Sequence, residues 1–118
     1  MSPQATDSLQ IEERVGSQPD HRVLTLHGPV ILGTLFRFQD AIRSKSSPTL
    51  IIDFTGVPYI DSAGIGALVG AYVTHNKDGR TLGIVGVSER VMNALKVTRV
   101  EKFFRFFPTV DSALQASA

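Results

Sequence analysis

Two rhythms of apolar residues alternate along the chain. Leu9 to Val15 reads as a first strand, closed by the turn formers Gly16, Ser17, Gln18, Pro19 and Asp20. His21 to His27 then alternates, with Val23 and Thr25 on one face and Leu24 and Leu26 on the other. This predicts a second strand that pairs with the first as a hairpin. After Gly28-Pro29 the period changes. Leu32, Leu35, Phe36, Ala41 and Ile42 recur at helical spacing with Arg37, Gln39, Asp40 and Arg43 opposite, a first helix over about 33–45 with the five apolar residues inward. Thr49 to Phe54 is a continuous apolar run of strand length, the pattern of a strand covered on both faces. Ile65, Leu68, Val69 and Tyr72 stand at i, i+3, i+4 and i+7 and form the core face of a second helix over about 62–76, ended by Gly79. Thr81 to Val85 is the next strand. Ser88 caps a third helix whose inward stripe is Val91, Ala94 and Leu95. Phe103 to Phe107 reads as a last strand and 110–116 as a short helix.

The order is ββαβαβαβα. That predicts an α/β layer, a mixed and mostly parallel sheet of about five strands with about four helices. Residues 1–8 are polar and carry a proline, so a flexible N-terminus is expected, followed by one domain over 9–118. A length of 118 residues suits one domain. The longest nearly apolar run, Ala63 to Val73, has 11 residues and three glycines, too short for a membrane span of about 20. The start, MSPQATDSLQ, has no basic and apolar leader pattern, so a cytoplasmic location is expected. The net charge of +1, with basic residues scattered, gives no electrostatic case for nucleic acid or an anionic membrane. The chain has no cysteine, which excludes disulfides, thiolate metal sites and Cys nucleophiles.

The most informative stretch is Val57-Pro58-Tyr59-Ile60-Asp61-Ser62-Ala63-Gly64-Ile65-Gly66. It places an Asp-Ser pair where a loop becomes a helix. The first backbone N–H groups of a helix lack helical partners, and the macrodipole adds partial positive charge there. Such a place suits an anion, including a phosphate on Ser62. Asp and Ser are also ordinary capping residues, so the residues themselves leave both readings open. Gly64 and Gly66 permit close approach of another backbone.

Other chemistry is poorly supported. Asp53 closes a strand as the phosphoacceptor of a receiver domain does. The acidic pair and late lysine of such a site are missing, and Asp53 is expected to hold the Thr55-Gly56 turn instead. His21, His27 and His75 lack ligand spacing and read as surface or strand-edge residues, with no metal and no cofactor expected. Ser62 lacks the first glycine of a nucleophile elbow and any base placed by motif, so no catalytic residue is assigned. Gly66 and Gly70 form a Gly-x-x-x-Gly pair, read as close packing of the helix against the sheet or a partner. Phe103, Phe104, Phe106 and Phe107 read mostly as core, with one pair exposed if their strand is an edge.

The segment LIIDFTGVPYIDSAGIGALVGAYV resembles the signature of STAS domains, found in bacterial anti-sigma factor antagonists. HRVLTLHG upstream and GRTLGIVGVSERVMNALKVTRVEKFFRFFPTVDSAL downstream are similar to the family's remaining elements, so the resemblance covers nearly the whole chain. It implies the STAS fold and a phospho-regulated binding module rather than an enzyme. The serine after the Asp, here Ser62, would be phosphorylated by an ATP-dependent serine kinase that is itself the anti-sigma factor. The unphosphorylated form would bind that factor and free a sigma factor, and a serine phosphatase would reverse the block. Partner contacts are expected at Asp61, Ser62, Ala63 and Gly64, with the protein a monomer or weak dimer. One departure stands out. Ile31 occupies the place of an acidic residue that often follows the glycine after the second strand. An apolar Ile31 would contact a different partner, which fits a scaffold in a stressosome or transporter complex that works without phosphorylation.

Overall fold

The computed structural model describes residues 8–15, 18 and 20–116; the turn formers Gly16, Ser17 and Pro19 and most of the expected flexible N-terminus lie outside them. The strands are β1 (Gln10–Val15), β2 (His21–His27), β3 (Thr49–Gly56), β4 (Thr81–Val85) and β5 (Arg105–Phe107). The helices are α1 (Leu35–Arg43), α2 (Ser62–Lys77), α3 (Glu89–Val97) and α4 (Val110–Ala116). The sheet order is β1-β2-β3-β4-β5, antiparallel at the β1–β2 hairpin and parallel elsewhere.

Handedness distributes the helices. The crossovers through α1, α2 and α3 each step one strand in the same direction, and right-handed connections then place all three on one face. Phe38 and Ile42, Ile65 and Leu68, and Val91 and Leu95 share one core with Leu24, Leu50, Ile52 and Phe54. No crossover constrains α4, which covers the opposite face through Ala113 and Leu114 against Val23, Ile51 and Val85. Thus β3 is covered on both sides, as its unbroken apolar run requires.

Three expectations need correction. The inward stripe of the first helix is Phe38 and Ile42; Leu35 and Ala41 are half-buried, while Leu32 and Phe36 are 71% and 89% exposed. The helix begins only at Leu35, after a 3-10 turn over Leu32–Thr34. Three residues per turn there shift the phase, so Leu32 does not continue the α-helical stripe. The last strand is shorter than read, because Glu101–Phe103 is a second 3-10 turn. Phe103 and Phe104 leave the strand to pack on Tyr72, with ring centroids 5.5 and 5.8 Å away. His21 and His75 are buried, not on the surface. Within its own helix the Nδ1–H of His75 donates to the Ala71 carbonyl at 2.8 Å.

Arg22, buried on β2, joins the hairpin to α1. Its Nε and Nη2 donate to the two Glu13 oxygens at 3.0 and 2.8 Å. The remaining N–H groups reach the carbonyls of Ala41 (2.9 Å) and Ile42 (3.3 Å) in the last turn of α1 and of Lys45 (2.6 Å) just past it. The planar fork serves both ends at once, and a lysine cannot do so. The hydrogen bond from Arg22 holds the Glu13 carboxyl below its ordinary range, against the opposing effect of burial. A depressed carboxylate stabilises the fold above its unfolded value and loses that contribution as pH falls through the folded one. Arg22→Lys is therefore expected to cost about 2 kcal/mol in urea unfolding at neutral pH. Glu13→Gln should be less stable than wild type at pH 7, with the gap closing below about pH 4.

Candidate functional site

The site forms where the ends of β2 and β3 feed their helices. Asp53 accepts from the Thr55 amide at 2.9 Å and its hydroxyl at 2.6 Å, holding the expected turn. Past it, Val30 and Ile60 form a single parallel bridge, with Val30 N–H donating to the Tyr59 carbonyl at 3.2 Å and Asp61 N–H to the Val30 carbonyl at 3.3 Å. The two loops thus extend the sheet by one rung beyond the strands. Gly64 makes that rung possible. A Cβ there would collide with the Val30 carbonyl oxygen and lie 2.8 Å from Ile60. Gly64 is buried beneath the rung, so it positions the site and is not available for partner contact, contrary to expectation.

Asp61 is the N-cap of α2 and works with both oxygens. Oδ1 accepts from the Gly64 amide at 2.9 Å, and Oδ2 accepts from the Leu32 amide at 3.0 Å. The first bond closes the helix; the second reaches back 29 residues to the 3-10 turn. Ile31, which donates its amide to Thr34 Oγ1 at 3.0 Å, is thereby carried to the same edge as Asp61 and Ser62. Sequence order gave no sign of this link, because Oδ2 has no local partner to betray it.

Ser62 is the first residue of α2, exposed, and its hydroxyl makes no hydrogen bond among the described residues. The two capping candidates are thus separated: Asp61 caps and Ser62 does not. Ala63 beside it is half-buried. Arg90, from α3, lies over the Tyr59 ring at 4.9 Å. Among the described residues no group of three His, Asp or Glu side chains is placed to hold a metal. A hydroxyl at a helix N-terminus that makes no hydrogen bond among the described residues can accept a phosphate from another enzyme and hold it near unpaired amides.

A STAS domain family model matches residues 13–113. An anti-sigma-B factor antagonist of Listeria monocytogenes is 30% identical over 94 residues, which span 77% of this chain and 80% of that protein. The crystal structure of an anti-sigma factor antagonist from Mycobacterium paratuberculosis is similar at TM-score 0.75 and 26% identity, over 91% of this chain and 93% of that one. The Bacillus cell fate determinant SpoIIAA in its phosphorylated form shares the fold at TM-score 0.71 and 13% identity, over 92% and 100% of the two chains.

The division of labour at the junction predicts different costs. Asp61→Ala should lower stability by about 1–2 kcal/mol in chemical denaturation, since it removes a cap and the bond to Leu32. Ser62→Ala should stay within about 0.5 kcal/mol of wild type. Gly64→Ala should cost about 1–3 kcal/mol, because the added carbon has nowhere to go.

Proposed function

The chain belongs to the STAS domain family, and we propose that it is an anti-sigma factor antagonist whose switch is phosphorylation of Ser62. Its partner is an anti-sigma factor that is also an ATP-dependent serine kinase. The unphosphorylated chain binds this factor and frees a sigma factor; phosphorylation blocks binding, and a serine phosphatase restores it. The protein is a binding module and not an enzyme. The observation that carries the reading is the exposed, unengaged hydroxyl of Ser62 next to a fully engaged Asp61. The relatives named as anti-sigma factor antagonists support the family role.

The physics of the switch is local. Phosphoserine brings about −1.5 to −2 charges and three acceptor oxygens. The start of α2 tolerates that charge, and the fold does not use the hydroxyl, so the domain stays folded. The cost falls on the interface, where an unmatched charge is worth about 2–5 kcal/mol, more than tenfold in Kd. Ile31 lies on the same edge through the Leu32–Asp61 bond and contributes an apolar contact in place of a carboxylate. That apolar contact also favours a second reading, a scaffold whose partner binding ignores Ser62; there Ile31→Asp weakens the complex and Ser62→Asp does not.

Incubation with the serine kinase encoded nearest to this gene and ATP should place one phosphate on Ser62 by peptide mass spectrometry. Ser62→Asp should then bind that kinase more than about tenfold more weakly than wild type, with Ser62→Ala unchanged. No phosphate on Ser62, together with equal binding by wild type and Ser62→Asp, overturns the phospho-switch.

A further inference from the structure

Two glycines in the middle of α2 have no internal reason to be glycine. Gly66 and Gly70 are exposed, and a Cβ on either would meet no atom within 4 Å. The packing against the sheet expected of this pair is therefore absent. Glycine inside a helix costs about 0.5–1 kcal/mol relative to alanine, so the protein forgoes stability at two positions without internal return. Ala63, Gly66, Ala67, Gly70 and Thr74 make one smooth strip, the floor of a groove of about 560 Å³ between α1 and α2. From Ala63 to Thr74 the strip is about 16 Å long, three helical turns.

The groove is basic. Arg43, Lys45 and Arg80 line it and no carboxylate does. Lys45 lies 3.5 Å from Glu13 and Arg80 3.0 Å from Asp78, whereas Arg43 has no ion pair among the described residues. His75 also lines the groove although it is only 3% exposed. Its Nδ1–H is spent on the Ala71 carbonyl, and Nε2 makes no hydrogen bond among the described residues. Burial lowers the pKa of this imidazole, against the Ala71 hydrogen bond that raises it, and with Nδ1–H spent on Ala71 the neutral ring leaves Nε2 as an acceptor.

We propose that an acidic helix of the partner protein lies along this groove, with its backbone drawn close over Gly66 and Gly70. Only close approach of a backbone makes use of two missing Cβ atoms. Three turns of floor match a helix, the cations match carboxylates on its flanks, and Nε2 of His75 takes a side-chain hydroxyl or amide N–H. The inference rests on the reading of the chain as an anti-sigma factor antagonist, and the partner is that anti-sigma factor. Ser62 stands at the head of the strip, next to Ala63, so its phosphate would place negative charge at the end of an acidic helix. Regulation and docking would then share one helix.

Calorimetric titration of the full chain with the anti-sigma factor tests this. Gly66→Ala/Gly70→Ala should raise the thermal midpoint and yet weaken binding several-fold, opposite signs that a merely structural role does not produce. Gly70→Leu should weaken binding at least about tenfold, and Arg43→Glu should weaken it in a way that fades at high salt. Circular dichroism confirms that each variant is folded. If Ser62→Asp weakens binding while the glycine variants stay within about twofold of wild type, the groove is overturned and the functional reading stands. If wild type does not bind, or binds no better than Ser62→Asp, the functional reading falls and takes the groove with it. If the glycine variants instead dissolve a dimer in sedimentation velocity, the occupant is a second copy and the proposal is wrong.

Discussion

One carboxylate holds the functional end of the domain together. Through Oδ1 Asp61 begins α2, and through Oδ2 it fixes the turn that begins α1. Without the second bond the Leu32–Thr34 turn would depend on its own Thr34 contacts to Pro29 and Ile31. With it, two consecutive crossovers share an anchor, and the Val30–Ile60 rung lies between them. The apolar residues Leu32 and Phe36 are exposed because this turn sets the phase of α1.

Locally determined features were legible in the sequence. The cap at Ser88, the left-handed Gly79 (φ 70°) and the Asp53 turn depend on residues within a few positions of each other. The order of elements along the chain followed from the alternation of periods, and the two-faced burial of β3 from its unbroken apolar run. The errors arose where a distant element decides the outcome. Phe36 and Phe38 are equivalent by composition, and only the late start of α1 chooses Phe38 for the core. His75 reads as exposed until the turn of its own helix supplies an acceptor. At the site, the Asp-Ser pair was visible, but which residue caps and which is free was not. Gly64 was grouped with its neighbours on the surface, and its burial follows from the Val30 carbonyl, 34 residues away in sequence.

The distribution of roles keeps the fold independent of the Ser62 hydroxyl. Asp61, Gly64 and the Val30 rung carry the geometry, while the Ser62 hydroxyl carries none of it. A modification at such a position changes what the surface binds with little effect on whether the surface exists. Had Ser62 been the cap, adding a phosphate would have replaced a structural acceptor and coupled the signal to stability.

The helix α4, alone on the far face of the sheet among the described residues, has a consequence for biosynthesis. α4 follows, in chain order, every strand it covers. As the chain emerges N-terminus first, the α1–α3 side can assemble while Val23, Ile51 and Val85 still face water. That apolar strip stays open until α4 has been translated. The interval is when the nascent chain is most exposed to association with other chains, and a holdase that recognises short apolar strand segments would find its target there.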